Sequence, residues 1–144
     1  MAVDPKKTIQ QHEDVPLSEI LAKTAKVSPV ISGLDMIGAN TDVVYYTHLL
    51  AAGTLDAVAL TLDGAIDVDA TITISIEGVA PEPTAGVITF PAIGSAAGVT
   101  VTYTPTSGNE IATGARIGLT VGGGNTLATF ADVTLLVSYT PVAS

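Results

Sequence analysis

The chain has 144 residues, a formal net charge of −9 and neither cysteine nor tryptophan. Disulfides, thiolate metal sites and thiol nucleophiles are therefore excluded, while the length suffices for one domain with a core plus an appendage. With only four tyrosines and two phenylalanines, the core is built from Ala, Val, Ile and Leu, which bury less area per residue and favour association with further copies of the chain.

Residues 1–14 are polar, mix both charge signs and contain Pro5. They read as an extended arm. Lys6 and Lys7 have no apolar run behind them, so the segment does not read as a signal peptide. Residues 15–27, VPLSEILAKTAKV, predict a short helix. Ser18 caps it, Leu17, Ile20, Leu21 and Ala25 form an apolar stripe, and Lys23 and Lys26 lie near its C-terminal end. Pro29 ends it. A helix this short is marginal by itself. It is expected to order on docking to a partner or a neighbouring subunit, the alternative being a mobile tail. Residues 31–40, with Gly33 and Gly38, read as a linker. The expected partition is an arm and linker over 1–41 and a β-sandwich domain over 42–144.

From Val43 the period is two. The runs VVYYTHLL, LDAVALTL, ATITISIEG, AGVITF, GVTVTYTP, ARIGLTVGGG and ADVTLLVSYTP follow one another, separated by Gly, Pro, Asp, Asn and Ser. Ile72, Ile74 and Ile76 share one face; Thr71, Thr73, Ser75 and Glu77 share the other. Such alternation predicts antiparallel sheets buried on one side. Turn signals between short strands predict an all-β fold, an antiparallel β-sandwich of jelly-roll type with an N-terminal arm. Asp63-Gly64 and Gly122-Gly123-Gly124-Asn125 are turn chemistry, the latter read as a tight hairpin. Ala80-Pro81-Glu82-Pro83 is a stiff loop.

Charge is segregated. Lys6, Lys7, Lys23 and Lys26 precede residue 27, and Arg116 is the one basic residue after them. Of the fourteen acids, Asp4, Glu13, Asp14 and Glu19 lie before Lys26 and the rest follow it. Clustered phosphate contacts are thus missing from the β region, which excludes nucleic acid as its partner and disfavours an anionic membrane. No run approaches the roughly 20 apolar residues that span a bilayer.

Catalytic vocabulary is thin. Asp63, Asp67 and Asp69 could bind Ca²⁺ through oxygen, but they lack the EF-hand spacing and read first as a solvated loop. His12 and His48 have no ligand-spaced companions; His48, in a strand, reads as a surface or interface residue. There is no G-x-S-x-G elbow, and the triple glycine lacks the G-K-[ST] ending of a phosphate loop. No cofactor and no catalytic residue is expected. Arg116 reads either as an exposed ion pair or as a charge anchoring a subunit or partner contact.

The order LTLDGAIDVDATITISIEG (60–78), VITF (87–90), GSAAGVTV (94–101), IATGARIGLTVGGG (111–124) and a last strand ending near Tyr139 resembles the small β-rich proteins that decorate capsids of tailed phages, known as cement, decoration or head-fibre proteins. The similarity covers roughly residues 43–140. It implies a compact sandwich that assembles as a homo-oligomer, a trimer before a dimer, on the outer face of the virion, with the arm touching the major capsid protein. It implies no catalytic residue. The partner-binding candidates are Lys6, Lys7, Ile20, Leu21, Lys23, Lys26 and Arg116. The competing reading is a carbohydrate-binding or adhesive β-sandwich module of a fibre or cell surface, with Tyr45-Tyr46 as its stacking pair; an enzyme is the least expected.

Overall fold

The computed structural model describes residues 25–38 and 44–139. Ten strands form two antiparallel sheets: β1 Ala25–Val27, β2 Val30–Asp35, β3 Val44–His48, β4 Gly53–Leu62, β5 Ala70–Ile76, β6 Val87–Phe90, β7 Thr100–Tyr103, β8 Glu110–Ile111, β9 Arg116–Gly123 and β10 Phe130–Tyr139. In the first sheet β1 and β2 run end to end along one edge of β10, β4 takes its other edge, and β7 and β8 run end to end along β4. The second sheet has the order β3-β9-β5-β6.

The pairing is nested. The first strands pair with the last, β3 with β9, β4 with β7 and β8, and β5 with β6. This is the connectivity of a jelly roll, the expected fold class. Its physical origin lies in the alternation. In β5 the burial pattern runs strictly buried and half-buried, with Ala70, Ile72, Ile74 and Ile76 inward. Leu55, Val58, Leu60 and Leu62 of β4, Ile117, Leu119 and Val121 of β9, and Val133, Leu135 and Val137 of β10 complete a dry layer between the sheets.

All seven expected strand runs are present, and the structure adds three strands. The expected helix over 15–27 ends in strand instead: Ala25–Val27 is β1, paired Ala25 to Tyr139. The remainder of that helix lies outside the described residues. The expected linker over 31–40 is largely β2, and Leu34 and Met36 are fully buried. The sandwich thus recruits residues 25–35 from the stretch assigned to arm and linker. The reason is an unpaired edge: ten residues of β10 expose ladder groups that need partners. Pro29 does not end a helix; it bridges β1 and β2, and its carbonyl accepts from the Leu135 amide at 2.9 Å.

The triple glycine also departs from expectation. β9 and β10 lie in different sheets, so Gly122 and Gly123 end β9 paired with Thr71 and Ala70, and Gly124 begins an arch between layers and not a hairpin. Gly123 has φ of 95°, and a Cβ there would collide with the Asp69 carbonyl. Among the described residues, the only connection between partnered neighbours within a sheet is the loop from β5 to β6. It is pinned from the other sheet by the buried Tyr103, whose hydroxyl donates to the carbonyls of Pro81 and Pro83 at 3.1 and 2.8 Å.

Leu34 tests the recruited strand. Leu34→Ala is expected to cost about 2–5 kcal/mol, as a buried core leucine does, whereas Ser32→Ala on the exposed side of β2 stays within about 0.5 kcal/mol. Urea unfolding of the two variants distinguishes a structural strand from a linker.

Candidate functional site

Two basic side chains fall among the described residues, and they sit on different sheets. Lys26 lies on the outer face of the first sheet, opposite Ser138 in register. Its Nζ is 3.6 Å from the Asp56 carboxylate, which also accepts from the Ser138 hydroxyl. Lys26 is exposed and Asp56 half-buried, and the pair ties β1, β10 and β4 together across the sheet surface. Lys6, Lys7, Ile20, Leu21 and Lys23, together with His12, lie outside the described residues.

Arg116 opens β9 and faces outward from the second sheet. Its register partner on β3 is His48, also exposed. On its other side stands Glu77: the Arg116 backbone amide donates to Glu77 Oε1 at 2.6 Å, the Glu77 amide donates back to the Arg116 carbonyl at 2.8 Å, and the guanidinium lies 3.6 Å from Glu77 Oε2. The guanidinium carbon also stands 5.4 Å from the centroid of the Tyr46 ring, within cation–π range. The sequence flagged Arg116 but not its clamp. The available signal was Glu77-Gly78 at a tight turn, where Asn-Gly or Asp-Gly is the usual pair.

Tyr45 and Tyr46 do not form a stacking pair. Consecutive strand residues point to opposite faces. Tyr45 packs against the core and its hydroxyl accepts from the Asp35 amide at 3.3 Å, whereas Tyr46 is 55% exposed on the outer face.

The three clustered aspartates are each engaged by a different segment. Asp63 accepts from the Phe130 amide at 2.8 Å, Asp69 from the Ala92 amide at 2.7 Å, and Asp67 from the amide of Thr126 at 2.7 Å and from its hydroxyl. Asn125, nearly fully buried, donates to the carbonyls of Met36 and Leu127. These carboxylates lace the loops at one end of the sandwich, and no group of three potential metal ligands is found among the described residues. The Thr126 hydroxyl, then the Thr126 amide, hold the Asp67 carboxyl below the ordinary aspartate range against an opposing effect of burial.

At the opposite end, where β1 meets the end of β10, an apolar recess of about 290 Å³ opens between Val27, Leu49, Leu50, Ala51, Val137 and Tyr139. Leu50 at its rim is 84% exposed.

No protein-family model matches the chain, and no curated protein matches it in sequence. Among solved structures, an exo-β-1,3-galactanase from Phanerochaete chrysosporium with galactose aligns with 82% of this chain at 18% identity and a TM-score of 0.40; this chain spans 27% of that one. A capsid asymmetric unit of cyanophage Pam1 aligns with 83% of this chain and 84% of its own at 19% identity and a TM-score of 0.35. Neither likeness is close enough to carry a function across.

A depressed carboxyl contributes stability that is present above its unfolded value and is lost as pH falls through its folded value. Asp67→Asn should therefore melt below the wild type at neutral pH, and the gap should close as pH drops below about 4. Thermal denaturation between pH 7 and pH 2 reads this, and a gap that stays constant would place the role of Asp67 elsewhere than in its charge.

Proposed function

We propose that the chain is a structural virion protein, not an enzyme, that decorates and stabilises the outer surface of a phage capsid. It binds the major capsid protein as a homo-oligomer, a trimer in the first instance. What supports this reading is the charge pattern of the described body, whose first residue, Ala25, pairs with Tyr139 at one end of one sheet edge. Both cations of the described body already have acidic neighbours, Asp56 for Lys26 and Glu77 for Arg116. Attachment by charge and by an apolar stripe is assigned first to Lys6, Lys7, Ile20, Leu21 and Lys23, with Lys26 and Arg116 as the candidates within the described body.

The physical logic is linkage. A protein that binds the assembled shell and not its dissociated subunits stabilises the shell by mass action. An acidic body keeps free copies soluble until they dock. Jelly rolls occur among viral capsid proteins and lectins alike, so the architecture does not choose between a shell partner and a glycan. The second reading, a carbohydrate-binding or adhesive module, loses the Tyr45-Tyr46 pair but keeps the exposed Tyr46.

The recruited strands fix where a truncation belongs. A cut at residue 30 strips β1 from the sheet, whereas a cut at residue 22 leaves β1 whole. The chain lacking residues 1–22 is expected to fold and to scatter light as an assembly of three chains, the same number as the full chain. Only the full chain should co-sediment with undecorated capsids at micromolar concentration. Absence of co-sedimentation by the full chain sinks the reading; equal co-sedimentation by the truncated chain removes the arm from it.

A further inference from the structure

The outer face of the second sheet carries an ordered grid of six residues. Antiparallel partners share a face, so one row across β3, β9 and β5 is Tyr46, Gly118, Ser75. The next is His48, Arg116 and, just past the end of β5, Glu77. An aromatic ring, a gap and a hydroxyl thus stand beside an imidazole, a guanidinium and a carboxylate. The gap has a reason: a Cβ at Gly118 would lie 2.8 Å from Ser75 Oγ and 3.3 Å from Tyr46 Cε1. Glycine lets the ring and the hydroxyl close over the middle strand and keeps the surface shallow.

Glu77 shows that this arrangement is held. Ile76 and Val79 exchange amide–carbonyl bonds of 2.8 and 3.0 Å around a two-residue turn, in which Glu77 has φ of 50° and Gly78 of 82°. Positive φ at both central positions suits Asn-Gly, and glutamate adopts it reluctantly. The other non-glycine residues with positive φ, Thr84 and Ala85, are held by bonds within their own loop. Glu77 instead reaches across to β9, where its carboxylate takes the Arg116 amide and faces the guanidinium. Backbone strain retained at an exposed position where a more comfortable residue exists points to a task for the side chain. The Arg116 and Glu77 side chains remain 52% and 49% exposed, so the clamp orients them without covering them.

We propose that this grid is a binding subsite for one neutral pyranose unit of a glycan. The Tyr46 ring meets the apolar C–H face of the sugar. The planar guanidinium and carboxylate, with His48 and Ser75, exchange hydrogen bonds with its hydroxyls, for which a mixed set of fixed donors and acceptors is required. The charges of Arg116 and Glu77 cancel locally, and the net charge of −9 repels polyanions, so the sugar is uncharged. The inference deepens the second reading of function and does not rest on capsid attachment.

Affinity electrophoresis of the full chain through gels containing dextran, galactan, mannan or a soluble β-glucan, with polygalacturonate as the acidic comparison, tests it. At least one neutral polysaccharide should retard the wild type, Tyr46→Ala should run unretarded, and Arg116→Ala should be retarded less. Glu77→Asn separates site from scaffold: it should melt at or above the wild-type temperature, because Asn suits the turn, yet bind less. No retardation by any neutral polysaccharide, retardation by polygalacturonate alone, or undiminished retardation of Tyr46→Ala overturns the site. A Glu77→Asn chain that loses stability but not retention overturns the clamp. Capsid co-sedimentation is read separately, so failure here leaves the shell partner standing.

Discussion

Strand β10 has two edges, and the sandwich depends on covering both. One is taken by β4, which is as long as β10 and pairs along nearly all of it. The other is covered by β1 and β2, whose residues lie about a hundred positions earlier in the chain. An open, apolar strand edge of that length is a template for pairing with other chains. The head of the described chain is therefore a structural part of the body, and the interface between first and last strands closes the nest in which every other pair is contained.

Nesting makes the connections long and places most of them between layers. The sandwich meets the resulting need for backbone partners by lacing loops with side chains. Asp63, Asp67, Asp69, Asn125 and Thr129 each hold a main-chain group from another segment, and Tyr103 pins the loop from β5 to β6. Polar residues that look available for chemistry are consumed in this work. The outer face of the second sheet differs, since Arg116 there lies against both Tyr46 and Glu77 and all three still face water.

Much of this was legible because alternation is a strong signal. β3 to β7, β9 and β10 follow from period-two runs of Val, Ile, Leu and Thr. β1 and β2 were not legible: AKVSPVISGLD contains Pro29 and Gly33, has no sustained alternation, and sits on an edge where both are tolerated. The two-residue β8 is too short for any pattern. The opposed faces of Tyr45 and Tyr46 follow from the period itself, so reading them as a pair neglected local geometry. Arg116 stood out by charge. Glu77 did not, because its meaning depends on a φ angle and on a partner 39 residues away. Lys6, Lys7, Ile20, Leu21 and Lys23 lie outside the described residues, and their role rests on pattern alone.

The antiparallel start of the chain has a mechanical corollary. Force drawn through the segment before Ala25 enters β1 along its strand axis. If the body is held by its far loops, that load falls on the β1 and β2 ladders with β10 in shear, with many hydrogen bonds loaded together. If the body is held instead by the chain following Tyr139, the same pull opens the ladder from the Ala25–Tyr139 end, one bond after another. The same junction is thus strong or weak according to where the body is gripped.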